Sequence, residues 1–279
     1  MFEQIVPVVL ERHRNKRVRN TSKFDFASKF HIAYVTLHEF ARAAATYPIL
    51  FLEDKPNDGF RPVVLMGLQN GENLFVDNNG AWNASYIPAM IRRYPFALSK
   101  GSEEGRFIVC VDEGSSLLSD TEGAPMFDEK GEPTEVMENV KRYLSELQQM
   151  DRITQEFTRF MQSQNLLTPL NMRVKAAPQA RNITGCFVIN EERMNSLSDS
   201  FFLEVREKGY LPAIYAHLIS LPQIERLVQL SQARVESPAP SPAPAAAAPT
   251  PAEAGPATAA PAASESKPAG RKRRSSASS

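Results

Sequence analysis

Two groups of side chains in this chain have the types and spacing to do chemistry. His38 and Glu39 are adjacent and could share proton transfer, while Trp82, Tyr86, Arg92 and Arg93 combine aromatic platforms with guanidinium groups. An imidazole beside a carboxylate acts as a general acid or base when both face one pocket. Thr36 stands three residues before Glu39, and that spacing is a capping box, in which the carboxylate reaches back to the Thr36 amide. The box accounts for Glu39 without catalysis. Tryptophan, tyrosine and arginine dominate recognition sites, but aromatics at helical spacing also build cores and their rims. On sequence grounds both readings of the 82–96 stretch stay open.

The other common chemistries find no support. There is no G-x-S-x-G, no P-loop, no G-x-G-x-x-G and no H-E-x-x-H. The histidines His13, His31, His38 and His217 offer no ligand-spaced pair. Asp112-Glu113 and Asp128-Glu129 lack calcium-loop spacing and are expected in solvent. Cys110 and Cys186 stand singly in apolar segments and read as buried thiols in a reducing compartment. No catalytic residue, cofactor or metal ligand is assigned.

The elements that must position these residues follow from pattern. After the capping box, Leu37, Phe40, Ala41 and Ala44 form one apolar stripe, and Pro48 ends the helix before a buried strand at Ile49–Leu52. His31–Val35 and Pro62–Leu68 read as strands. Asn70-Gly71 predicts a hairpin turn with a return strand over Asn73–Val76. Pro88 suits the first turn of a short helix that Pro95 closes. Phe107–Val111 is a further strand, and residues 112–131 read as a surface loop. A long helix is expected from Thr134 to Gln164, with its apolar seam broken at Thr154. Strands at Leu170–Val174 and Cys186–Ile189 precede helices over Phe201–Lys208, Ala213–Ile219 and Ile224–Leu230. Strand runs joined by tight turns, with helices clustered instead of alternating, define an α+β fold: a single globular domain with a mainly antiparallel sheet and packed helices.

Composition bounds the class. With 42% hydrophobic and 23% charged residues and a formal net charge of zero, the chain reads as globular, with no general attraction to nucleic acid or membrane. The N-terminus lacks the pattern of a secretory signal, and no apolar run approaches the ~20 residues of a membrane span, so a cytoplasmic location is expected. Arg12–Arg19 carries five basic residues in eight and reads as a solvated edge strand or loop. Residues 1–234 are assigned to the globular domain. Residues 235–279, rich in proline and alanine, are expected to be a disordered tail. Its basic cluster, Arg271, Lys272, Arg273 and Arg274, is suited to weak contact with nucleic acid or another anionic partner.

Several stretches resemble the SapC family of bacterial proteins: Glu11-Arg12-His13; Glu39-Phe40 with Ala43-Ala44 and Tyr47-Pro48-Ile49; Asn73-Leu74-Phe75; Trp82 with Tyr86-Ile87-Pro88; Arg92 through Phe96; and Ala216 through Leu221. The similarity covers roughly residues 1 to 231 and leaves out the tail. It implies a link to a surface-layer locus, and a neighbourhood of genes for flavin-dependent tryptophan halogenase-like proteins and outer-membrane receptors. It supplies no catalytic residues. A peptide-transporter permease shares the name, but that protein spans a membrane and this sequence has no span. The leading expectation is therefore a non-catalytic protein that binds an unidentified protein or peptide partner in surface-layer or cell-envelope biology. The alternative is an enzyme or accessory protein acting on peptide or tryptophan-like substrates. That alternative requires His38, Glu39, Trp82, Tyr86 and Arg92 to meet in one pocket.

Overall fold

The computed structural model describes residues 2–101, 107–176 and 179–236, which fall within one compact unit. The basic cluster Arg271–Arg274 and the proline-rich stretch before it lie outside the described residues.

The strands are β1 (Ile5–Pro7), β2 (Arg17–Val18), β3 (Ile32–Tyr34), β4 (Ile49–Asp54), β5 (Gly59–Leu65) and β6 (Phe96–Lys100). They continue with β7 (Phe107–Asp112), β8 (Leu118–Ser119), β9 (Ala124–Pro125), β10 (Leu167–Val174) and β11 (Arg181–Ile189). The helices are α1 (Leu10–His13), α2 (Phe40–Ala43), α3 (Ala89–Arg92) and α4 (Glu135–Ser163). Four more close the described chain: α5 (Glu191–Asn195), α6 (Asp199–Glu207), α7 (Leu211–Ser220) and α8 (Gln223–Glu236). The architecture is α+β, and every strand pairing among the described residues is antiparallel.

The main sheet has the order β10-β11-β4-β5-β3. Its centre is the β4–β5 hairpin, closed by a turn in which Asp58 takes the left-handed conformation. A second sheet, β1-β7-β6, and a small third one, β8-β2-β9, lie toward the other end of α4. The core divides accordingly. Phe40, Tyr47, Phe51, Phe75, Phe157 and Met161 belong to the larger cluster, while Phe96, Val111, Met126, Met137 and Leu144 form a smaller one. Helix α4 contributes to both.

Four local expectations change. The helix after Thr36 opens with a 3₁₀ turn over Leu37–Glu39. That tighter winding rotates the following face, so Ala43 is buried and Ala41 exposed. No return strand forms at Asn73–Val76. Leu74, Phe75 and Val76 are consecutively buried, a pattern that an alternating strand with one solvent face cannot give. Arg234 on α8 donates instead to the carbonyls of Asn73 and Val76, at 2.9 and 2.6 Å. The basic run is no edge: β2 lies between β8 and β9, and the preceding α1 buries His13 completely. Asp112 is also fully buried, accepting from the amides of Glu3, Gln4 and Gly114 at 3.0, 2.8 and 3.2 Å. It fastens the N-terminus to the loop after β7.

Candidate functional site

Glu39 is where the capped helix meets the 82–96 stretch. The capping box forms, and Oε2 of the buried carboxylate accepts from the Thr36 amide at 2.8 Å and the Thr36 hydroxyl at 3.0 Å. The second oxygen, Oε1, accepts from the Tyr86 hydroxyl at 2.7 Å and the Ala89 amide at 2.8 Å. Both oxygens are thus occupied by donors fixed in the fold, and the Ala89 amide belongs to the first turn of α3. A carboxylate so bound joins two helices; it has little capacity left to take up a substrate proton.

A short aromatic relay runs on from Tyr86. The Tyr47 hydroxyl donates to the Tyr86 carbonyl. The Trp82 indole N–H lies 3.0 Å from the Tyr47 hydroxyl and 3.2 Å from that same carbonyl. Burial pushes the Tyr47 phenol well above its ordinary range, with the Trp82 hydrogen bond opposing. Burial, followed by the hydrogen bond to Glu39, raises Tyr86 in the same direction. Both hydroxyls therefore stay protonated and remain donors at neutral pH.

Arg92 emerges from this cluster to the surface. Its Nε donates to the Ile87 carbonyl at 3.0 Å, and its guanidinium lies over the rings of Tyr86 and Tyr143, at 5.8 and 5.7 Å from their centroids. Arg93 lies deeper, 5.5 Å from the centroid of Phe2. Its Nε is buried without a hydrogen-bond partner among the described residues. Desolvation lowers its affinity for the proton, which Tyr143 and Asp151 partly restore. Among the described residues neither guanidinium has a carboxylate within ion-pair distance.

Both arginines line a cavity of about 480 Å³, within the range of about 300–1,000 Å³ common for ligand pockets. It lies where the two core clusters fail to close on each other, walled by Phe24, Phe26, Ile91, Phe96, Val140 and Leu144. Arg19 adds a third guanidinium, but that one is paired with Glu122 at 3.2 Å.

The predicted site residues thus divide. Glu39, Trp82, Tyr86 and Arg92 converge on Tyr86, and Arg93 joins Arg92 at the cavity. His38 does not join them: it is exposed and lines a separate groove beside Tyr210 and Ile153. Sequence reasoning missed Tyr47, whose position in the Tyr-Pro-Ile motif was explained by helix termination alone. Tyr143 falls at a helical spacing within α4 that gives no sign that its ring meets Arg92. Among the described residues no cluster of histidine, cysteine or carboxylate side chains could hold a metal ion, and no helix is long and apolar enough to cross a membrane.

These features define an α+β protein whose capped helix is tied by a buried carboxylate to an aromatic cluster, beside a cavity where Arg92 and Arg93 have no ion-pair partner among the described residues. The SapC family model matches residues 10–227, and the chain belongs to that family. No curated protein matches the chain, and neither does any solved structure.

Proposed function

We propose that this SapC-family chain is a non-catalytic protein that binds a protein or peptide partner in cell-envelope biology, with the 82–96 stretch and the adjoining cavity as its contact face. One observation carries the reading: Arg92 and Arg93 stand side by side against aromatic rings, and neither has a carboxylate partner among the described residues. Arginine held over aromatic faces is preorganised, so less entropy is lost when an acceptor arrives. The envelope setting rests on the family resemblance.

The enzymatic alternative gains from the convergence of Glu39, Trp82, Tyr86 and Arg92. It loses more from the hydrogen bonds that already occupy Glu39, from two tyrosines held protonated, and from the position of His38. The test is affinity capture from the source cell with wild type and Arg92→Glu, with folding checked by circular dichroism. Arg92 is exposed, so reversing its charge leaves the core intact. A partner retained by wild type and lost by the folded variant is the expected result; equal retention by both removes this face from the contact.

A further inference from the structure

The arginine-lined cavity carries a charge imbalance that defines the chemistry of its occupant. Among the described residues its wall holds three arginines and no aspartate or glutamate. With Arg19 engaged by Glu122, the positive charge without an ion-pair partner among the described residues falls on Arg92 at the exposed rim and on Arg93 farther in, where Asp151 acts only from beyond ion-pair distance. The Nε of Arg93 is a buried donor without an acceptor among the described residues, while the residue itself is half-buried and lines the cavity. Most of the remaining wall is aliphatic or aromatic. The exceptions are Asn20, Thr21 and Asn139; Asn139 already accepts from Arg142 at 2.8 Å and Thr21 from the Lys23 amide at 2.9 Å, so the amide donors of the two asparagines are what they chiefly offer a peptide backbone.

Resting on the reading of this face as a partner site, we infer that the cavity takes the free C-terminal carboxylate of a peptide chain whose last residue is aromatic or branched apolar. Two planar guanidinium forks match the two oxygens of a carboxylate. The apolar wall takes the terminal side chain, and the asparagine side chains take the preceding backbone. Among the described residues the cavity wall contains no lysine, so recognition depends on fork geometry instead of mobile point charge.

The experiment is calorimetric titration of the full chain with four probes. They are a pentapeptide ending in phenylalanine with a free carboxylate, the same peptide amidated, N-acetylphenylalanine, and phenyl phosphate. The free-acid peptide binds, and the amide binds roughly tenfold or more weakly. Arg93→Gln and Arg92→Gln each erase that difference by weakening the acid alone. Arg92 is exposed, so its variant keeps the test valid even if Arg93→Gln disturbs folding. Equal binding of acid and amide, or binding of neither, overturns the carboxylate assignment. Partner capture sensitive to Arg92→Glu would in that case still stand for the face as a whole. N-acetylphenylalanine binding as tightly as the pentapeptide makes the occupant a small acid and overturns the peptide. Tighter binding of phenyl phosphate overturns the carboxylate in favour of a phosphate.

Discussion

His217 has a structural role that its place in the sequence does not announce. As one of four scattered histidines it carried no assigned role, yet it is completely buried against Phe51 and its Nε2 accepts from the Ile189 amide at 3.0 Å. Ser220, one turn on, accepts from the Ile49 amide at 2.9 Å. Strands β4 and β11 are in register only at Phe51 and Phe187, so these two side chains of α7 satisfy amides that the ladder between the strands leaves open. Burial pushes the His217 imidazole down to about 4 from an ordinary value of 6.5. At pH 5 the unfolded chain binds a proton that the folded chain refuses. The stability owed to the neutral ring is therefore complete above about pH 6.5 and drains away as pH falls toward 4, by about 3 kcal/mol in all. His217→Gln is expected to be less stable than wild type at pH 7 and to lose less on acidification, so the gap narrows in urea unfolding between pH 7 and 4.5. Parallel losses in the two proteins would assign the acid sensitivity to other groups. Glu39 makes the complementary point. Its bond to Thr36, three residues away, was legible, while those to Tyr86 and Ala89 depend on a fold that brings together residues about fifty positions apart.

At the scale of elements, local signals served best where an element satisfies its own backbone and worst where a distant side chain does so. The capping box, the buried strand after Pro48 and the 29-residue span of α4 follow from short-range patterning. The Asn73–Val76 segment does not, because its carbonyls are bonded by Arg234, more than 150 residues on. Thr154 is a second case. A polar residue in the seam of α4 looked like a defect; in the structure it is buried, donates to the Met150 carbonyl at 2.6 Å and accepts from the Leu37 amide at 2.8 Å. That bond anchors the 3₁₀ turn carrying Glu39 to the long helix. Replacing Thr154 by valine keeps the shape and leaves the Leu37 amide unpaired, a change expected to cost about 1–3 kcal/mol in urea unfolding. Thr154→Ser, which keeps the acceptor, is expected to recover most of the loss. A valine variant as stable as wild type would mean the Leu37 amide finds another acceptor.

For the molecule as a whole, α4 decides whether two core clusters behave as one. At about 1.5 Å per residue the helix is roughly 40 Å long. It places Met137 and Leu144 in the smaller cluster and Phe157 and Met161 in the larger. A helix cannot lose half its length without exposing backbone and side chains at the break, so damage at one end is expected to be felt at the other. The arginine-lined cavity opens at the same junction, which makes the coupling relevant to binding as well as to folding. Trp82, the single tryptophan, packs against the larger cluster and reports on that end alone. Leu144→Ala removes a fully buried side chain from the smaller cluster, at an expected cost of about 2–5 kcal/mol. If α4 couples the clusters, the Trp82 fluorescence midpoint and the circular dichroism midpoint fall together by the same amount. An early dichroism phase with an unmoved fluorescence midpoint would instead make the smaller cluster a separate folding unit, with the cavity on the boundary between the two.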